Sequence, residues 1–141
     1  MRKREDQALP AKLLAVLFKL VSPLPPLPVQ TVDSIVFLRP EAVAYIATSG
    51  SSLEVVDEAG TRWRRFDTIS GLMKRLQADP YFFKANRGAI INLRMVRTLR
   101  TTDTGVHEVT FAGLDEAYKV AVADSVFAAF KKAMGLTIKE S

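Results

Sequence analysis

The sequence predicts a mostly β fold of the α+β class, in which short strands outnumber helices. From Val29 onward, apolar and polar residues alternate with a period of two, which is typical of half-buried strands. Turn-forming residues at 48–52 and 57–60 separate these runs at short intervals. Few segments show the three-and-four spacing of apolar residues that indicates an amphipathic helix.

The first helical segment lies near the N terminus, where residues 8–21 predict a short amphipathic helix. Its apolar face consists of Leu9, Leu13, Val16, Leu17 and Leu20. The run is interrupted by Lys12 and Lys19 and is shorter than the roughly 20 residues that cross a bilayer. We therefore expect no membrane span. We expect residues 9–21 to pack on the domain, on a second copy or on a partner protein, with membrane-surface contact as the alternative.

A proline-rich segment follows this helix. Its prolines each fix their own φ angle and keep the preceding residue out of the helical region. They are Pro23, Pro25, Pro26 and Pro28. We expect a stiff spacer, so the chain divides into residues 1–26 (helix and linker), residues 27–135 (the folded domain) and residues 136–141 (a C-terminal tail).

The first half of the folded domain reads as strands joined by turns. The predicted strands are 29–32, 35–38, 43–47, 53–56 and 61–66, and the last two form a hairpin. Arg39 and Pro40 break the chain before the third strand. In the last strand, Arg62 and Arg64 share one face and Trp63 takes the other. Trp63 is predicted to be a core or edge residue, with base stacking as the alternative.

A second amphipathic helix is predicted to begin after an N-cap at Asp67 or Thr68 and to end near Pro80. Phe82 and Phe83 then begin a strand. The period is ambiguous over residues 90–96, where apolar spacing fits either a strand or a helix.

The C-terminal part of the domain is predicted to hold two strands, 106–111 and 117–122, and a last helix. Asp124 or Ser125 is expected to cap that helix, and Gly135 to end it. Its buried face is predicted to consist of Val126, Phe127, Phe130 and Met134.

The composition limits the chemistry that the chain supports. It contains no cysteine, and its one histidine, His107, is predicted to be structural, so we expect no metal and no cofactor. The sequence holds no phosphate-binding glycine loop, nucleophile elbow or paired His-Glu motif. We therefore expect no enzymatic activity. The absence of cysteine suits a reducing compartment, and we predict a cytoplasmic protein.

The charge favours an anionic partner. The formal net charge is +5, and residues 81–100 carry five cations with no acidic residue between Asp79 and Asp103. The cations are Lys84, Arg87, Arg94, Arg97 and Arg100. A cationic surface anchored by buried apolar residues suits a polyanion, and the alternative is an ordinary solvated face.

The same stretch resembles a known family. An aromatic residue, a polar-Arg-small step, an apolar-Asn-Leu run and spaced apolar residues follow one another in the order of the LytTR DNA-binding domain signature. These residues are Phe83, Asn86-Arg87-Gly88, Ile91-Asn92-Leu93, Val96 and Leu99. The similarity extends over roughly residues 27–132. The sequence departs from the signature at Asn86, where His is usual, at Gly88, where Ser is usual, and at Ala123-Asp124, where a Ser-Arg pair is usual.

The resemblance implies a LytTR-like β-sheet domain with short helices, to which the N-terminal helix is added. It also implies a short helical turn over residues 88–93 and a strand over residues 96–100. By resemblance, two loops reach adjacent major grooves of double-stranded DNA, and two copies bind direct repeats as a dimer. The implied role is that of a bacterial transcriptional regulator.

Three loops are candidates for the contact with DNA: residues 49–52, 84–88 and 123–125. Arg87 is the best candidate for a base contact, because its guanidinium can bond a guanine edge with two hydrogen bonds. Asn86 could bond adenine or a phosphate. Asn92 is predicted to be an inward residue that holds the 84–88 loop in shape.

Other cations and hydroxyls would contact phosphates if they share a face. They are Lys84, Ser49, Ser51, Ser52, Arg62, Arg64, Lys74, Arg94 and Arg97. Neutralising about four phosphates would give a log-log salt slope near −3.6. The alternative function is a protein-interaction module that kept the scaffold and lost its DNA contacts, which the departures at Asn86, Gly88 and Asp124 favour.

Overall fold

The computed structural model describes residues 24–136. The predicted N-terminal helix, the linker up to Pro23 and all but the first residue of the predicted tail lie outside the described residues. Within this range the chain is mostly β, as predicted, with two α-helices and two single 3₁₀ turns.

A seven-stranded antiparallel sheet dominates the fold. Its strands are β1 (Leu27–Gln30), β2 (Ile35–Leu38), β3 (Val43–Ser49), β4 (Ser52–Asp57), β5 (Arg62–Arg65), β6 (Phe82–Asn86) and β7 (Ala89–Asn92). Their spatial order is β2-β1-β5-β4-β3-β7-β6. A second sheet has the order β10-β9-β8, from β8 (Val96–Thr101), β9 (His107–Phe111) and β10 (Lys119–Val122). The helices are α1 (Ile69–Leu76) and α2 (Asp124–Ala133).

The central strands of the large sheet are covered on both faces, and neighbouring residues on them point into two different cores. One face packs against α1 through Ile69, Leu72 and Leu76 and forms the first core. The other face packs against the small sheet and α2 and forms the second core, in which Tyr45 stacks on Phe111 with ring centroids 5.0 Å apart. The large sheet is therefore a rigid layer held from both sides.

The structure confirms one predicted helix cap and corrects the other. The Thr68 hydroxyl accepts a hydrogen bond from Gly71 N at 3.0 Å and caps α1. The N-cap of α2 is Ala123, which offers no side-chain bond, and Asp124 is already the first helical residue. The predicted capping by Asp124 or Ser125 was therefore wrong. Gly135 ends α2 with a φ of 75°, as expected for a C-terminal glycine.

Residues 88–93 do not form the helical turn that the resemblance implied. Residues 89–92 form β7, which pairs with β3 on one side and β6 on the other, and the 3₁₀ turn comes later, at Leu93–Met95. The sequence was ambiguous because Ile90 belongs to the first core and Ile91 to the second. A strand buried on both faces loses the alternation that identifies strands.

Candidate nucleic-acid interface

The three predicted loops meet at one end of the molecule. The turn between β3 and β4 lies beside the turn between β6 and β7, since Thr48 N donates a hydrogen bond to Gly88 O at 2.9 Å. The junction between β10 and α2 joins them, since Ala123 N donates to Ala85 O at 2.8 Å. We call residues 48–52, 84–88 and 121–125 the loop cluster. Segments distant in sequence thus form a single surface.

The side chain of Asn86 fastens the loop cluster. Its Nδ2 donates to Ala121 O at 2.7 Å, and its Oδ1 accepts from Gly88 N at 2.8 Å. The first bond links the large sheet to the small sheet, and the second closes the turn that carries Arg87. Both ends of the amide are therefore engaged within the protein, and the structure gives Asn86 a structural role where the sequence suggested a contact with DNA.

Arg87 occupies the tip of the turn between β6 and β7 and is exposed. Within residues 24–136 it has no carboxylate partner, and the same holds for the exposed Lys84. Among the described residues none accepts a hydrogen bond from its guanidinium, which carries five N–H donors that an external ligand could use. Arg87, the best candidate for a base contact in the sequence, is therefore available for such a contact.

Gly88 is required by a close approach rather than by an unusual backbone angle. A Cβ placed on Gly88 would lie 2.9 Å from the hydroxyl oxygen of Thr48. Thr48 is exposed, and its hydroxyl fills the place where a larger residue 88 would project. Sequence reasoning missed Thr48. Thr48 was counted in the turn at residues 48–52 but was not included among the candidate contacts.

The serine turn has the conformation that its composition predicted. Gly50 has a φ of 62°, which allows the tight reversal between β3 and β4. Ser52 Oγ donates to Ser49 O at 3.3 Å, whereas Ser49 and Ser51 are exposed at the tip. The hydroxyls of Ser49 and Ser51 are thus available beside Arg87, and that of Ser52 stabilises the turn.

Arg62 and Arg64 share one face of β5, as predicted, but their surroundings differ. Arg62 pairs with Glu54 at 2.8 Å and stacks over the ring of Tyr118 at 4.5 Å, so its charge is compensated within the protein. Arg64 lies nearer the serine turn and is exposed. Its guanidinium carbon lies 5.8 Å from the centroid of the Phe66 ring. Arg64 is the cation of β5 that can serve the loop cluster.

Arg94 does not contribute to a cationic surface at the loops. Its Nη2 pairs with Asp79 at 2.7 Å, its Nη1 reaches Asn92 Oδ1 at 3.3 Å, and it stacks over Tyr81 at 4.5 Å. It also lies beyond Asn92, at the end of β7 opposite Arg87. The phosphate contact predicted for Arg94 is therefore inconsistent with its position. The absence of acids nearby in sequence was misleading, because Asp79 reaches it through the fold.

The cations of β8 are also separated from the loops. Thr101 is the residue of β8 that pairs with His107, and His107 in turn pairs with Val122 next to the loop cluster. Arg97 lies four residues along β8 from Thr101, roughly 13 Å away at 3.3 Å per residue. It is exposed, and the strand registers place it away from the loop cluster. The shared face assumed for Arg97 is not formed.

Asn92 is buried, as predicted, but it supports a different part of the fold. Its Nδ2 donates to Val43 O at 2.8 Å and to Glu41 O at 3.3 Å, and its Oδ1 accepts from Arg94 N at 3.1 Å. These bonds hold the two 3₁₀ turns at the end of the sheet remote from the loops. The loop support assigned to Asn92 is supplied by Asn86.

An acidic side chain also reaches the loop cluster. Asp124 is 89% exposed and pairs with His107, whose Nε2 lies 3.1 Å from Asp124 Oδ1. The imidazole also bonds Thr101 through Nδ1 at 2.8 Å and stacks on Phe127 with ring centroids 3.7 Å apart. These contacts are those of a structural histidine, as predicted. His107 also pairs with Asp124, which carries the carboxylate of the third loop.

Neither a metal-binding cluster nor a membrane-spanning helix occurs among the described residues. Between residues 24 and 136 there is no group of three or more His, Asp or Glu side chains arranged to hold a metal ion. The helices in that range are also too short or too polar to cross a membrane.

The fold and the loop cluster define a mostly β domain that presents cations at one end. A family model for the LytTr DNA-binding domain matches residues 33–135, and the chain belongs to this family. Among solved structures, the chain resembles the LytTr DNA-binding domain of a Bacillus cereus protein described as a methyl-accepting/DNA response regulator. That match has a TM-score of 0.66 and 15% identity and covers 79% of this chain and 97% of the other. At this identity it supports the fold. A comparison with curated proteins finds no match.

Proposed function

We propose that the protein binds double-stranded DNA sequence-specifically and acts as a bacterial transcriptional regulator, with the loop cluster placed in the major groove. The observation that carries the proposal is the exposed guanidinium of Arg87 at the tip of a turn that hydrogen bonds hold to both neighbouring loops. A bidentate Arg contact with guanine is the commonest specific contact in the major groove. Because hydrogen bonds already fix the turn, its backbone loses little further conformational freedom when Arg87 binds DNA.

The residues around Arg87 take separate roles in this proposal. Lys84, on β6 just before the turn that carries Arg87, and Arg64, beside the serine turn, neutralise phosphates, because both are exposed cations. The hydroxyls of Thr48 and Ser51 donate to phosphate or base-edge oxygens. The two phosphate contacts of Lys84 and Arg64 predict a salt slope of about −1.8, smaller in magnitude than the value from sequence. Two copies on a direct repeat would double that slope.

The test is to titrate the protein into labelled DNA from the upstream region of its own gene. Binding is measured by fluorescence anisotropy at several salt concentrations. Arg87→Ala should remove the sequence preference and weaken binding about tenfold or more, from the 1–3 kcal/mol of a bidentate base contact. Arg97→Ala is the matched control, since it removes the same charge from an exposed site remote from the loops. Equal losses in both variants would show that only net charge matters and would refute the proposal.

One observation favours a second function, that of a protein-interaction module. Asp124 presents an exposed carboxylate in the third loop, where a polyanion would be repelled. If the scaffold has lost DNA binding, no salt-sensitive complex forms with any duplex. If it binds DNA, Asp124→Asn should tighten binding severalfold, because it removes a like charge beside the phosphates. Unchanged affinity in Asp124→Asn would place the third loop away from the DNA.

A further inference from the structure

An apolar surface is exposed at the outer end of the large sheet, away from both cores. Phe37 is 66% exposed, Phe66 is 62% exposed and Ile35 is 56% exposed. Phe37 lies directly opposite Pro28 in the strand register, and Gln30 lies opposite both Ile35 and Arg64. These residues therefore share one face, on which Arg64 approaches the ring of Phe66. We call Pro28, Ile35, Phe37 and Phe66 the edge patch.

The edge patch is unusual for its position. It lies mainly on β2, which is the last strand of the sheet and leaves one side without a hydrogen-bonded neighbour. The opposite face of β2 packs Val36 and Leu38 against the first core, so this strand is apolar on both faces. Proteins commonly cover such an edge with a helix or a loop, because a bare apolar edge strand invites aggregation. Among the described residues nothing covers it.

A segment of this chain is attached close to the patch. Residues 1–23 lie outside the described residues and join the domain at Leu24, three residues before β1. The Leu24 side chain packs in the first core, on the face of the sheet opposite the patch, so the segment would have to pass around the end of β1 and β2 to reach it. Pro28, part of the patch, is four residues further on, at most about 13 Å away. A segment tethered this closely has an effective concentration in the millimolar range. A second copy in solution would have to compete with it at far lower concentration.

The sequence of the segment matches the surface. Residues 8–21 are predicted to form a helix with a five-residue apolar face, although Leu14 and Phe18 lie on its other side. They are long enough to lie across the four-residue strands β1 and β2. The patch is apolar and lacks a charged residue of its own. An amphipathic helix placed with its apolar face on the patch would cover the exposed strand and keep its lysines in solvent.

We propose that residues 8–21 dock intramolecularly on the edge patch, with the helix face of Leu9, Leu13, Val16, Leu17 and Leu20 against Ile35, Phe37 and Phe66. The docked segment completes the sheet layer at β2 and gives the N-terminal region a fixed position next to Arg64. The proposal concerns packing alone and does not depend on DNA binding.

The absence of cysteine from the chain makes a thiol test direct. Single substitutions Ile35→Cys and Phe37→Cys are made in the full chain, and their reaction with a maleimide is timed. Ala129→Cys, on the exposed side of α2, is the reference for an uncovered thiol. We expect the thiols at positions 35 and 37 to react at least tenfold more slowly than the reference.

Matched double variants assign the protection to the segment. Leu13→Glu with Leu17→Glu should restore fast labelling, because it places two charges on the apolar face. Ala11→Glu with Ala15→Glu adds the same charge to the opposite face and should leave the protection intact. A thermal melt of each variant confirms that the domain remains folded and that altered labelling does not reflect unfolding.

Two results would overturn the inference. Labelling at positions 35 and 37 as fast as at the reference, in the folded parent chain, would mean that nothing covers the patch. Protection that disappears on dilution, together with a doubled mass at high concentration, would mean that a second copy covers it. Protection that is independent of concentration and lost only in the Leu13, Leu17 variant supports intramolecular docking.

Discussion

Substitution of Asn86 tests whether this residue fastens the loop cluster or contacts DNA. Asn86→Ala removes the bond to Ala121 O and the bond to Gly88 N, at 2.7 Å and 2.8 Å. A typical hydrogen bond contributes about 0.5–1.5 kcal/mol net, and water can partly replace these two because Asn86 is only half-buried. We expect a loss of about 1–2 kcal/mol in the free energy of unfolding. For a domain of this size that corresponds to a fall of roughly 4–8 °C in Tm.

The assay is urea unfolding followed by circular dichroism, with the transition midpoint compared between variants. Asn86→Asp is a nearly isosteric second variant that sets a carboxylate oxygen against Ala121 O, so it should be at least as destabilising as Asn86→Ala. Lys84→Ala, an exposed neighbour without a protein partner in the described region, should stay within about 0.5 kcal/mol of the parent. If both Asn86 variants unfold with the parent midpoint, the fastening role is refuted.

Three further predictions concern stability. Asp79→Ala removes the partner of Arg94 and should lower the free energy of unfolding in urea by about 2 kcal/mol. This is less than for a fully buried pair, because the Arg94 side chain is 31% exposed. A loss under about 0.5 kcal/mol would contradict the prediction. Gly88→Ser places a Cβ 2.9 Å from Thr48 Oγ1 and should cost about 1 kcal/mol, which Thr48→Ala in the same chain should recover. Burial raises the pKa of the Tyr45 phenol above its ordinary value of 10.0, so the contribution of Tyr45 to stability should be constant below about pH 10 and fall above it. Tyr45→Phe should remove that alkaline loss, and an unchanged pH profile would contradict the assignment.

Local patterns were sufficient for most of the elements. The β4–β5 hairpin follows from alternation on either side of a turn at residues 57–60, and α1 follows from apolar spacing behind the Thr68 cap. These features depend on residues within a few positions of one another. β7 could not be read in the same way, because its two buried faces come from layers that are brought together only by the fold.

The distribution of charge was less predictable than the elements. Residues 81–100 contain no acid in sequence, yet Arg94 meets Asp79 and Arg100 approaches Glu108 at 3.5 Å. Both contacts depend on strand register and tertiary packing, which a charge pattern does not encode. The roles predicted for Asn86 and Asn92 differ from the observed ones for the same reason, since each side-chain amide donates to a backbone carbonyl that is distant in sequence.

The geometry of residues 86–88 has a consequence for how DNA would be read. The Asn86 amide bonds other parts of the protein, and Gly88 has no side chain. Of residues 86–88, Arg87 is the one whose side-chain functional group is exposed and has no partner among the described residues. The small residue at 88 lets the Thr48 hydroxyl approach from the neighbouring turn, so a second hydrogen-bonding group enters from β3. Base reading by this loop would thus depend on one guanidinium, with a hydroxyl contributed by a different strand. Because the Asn86 bonds hold the turn that carries Arg87, a change at Asn86 would alter the angle at which Arg87 meets a base even though Asn86 itself touches none.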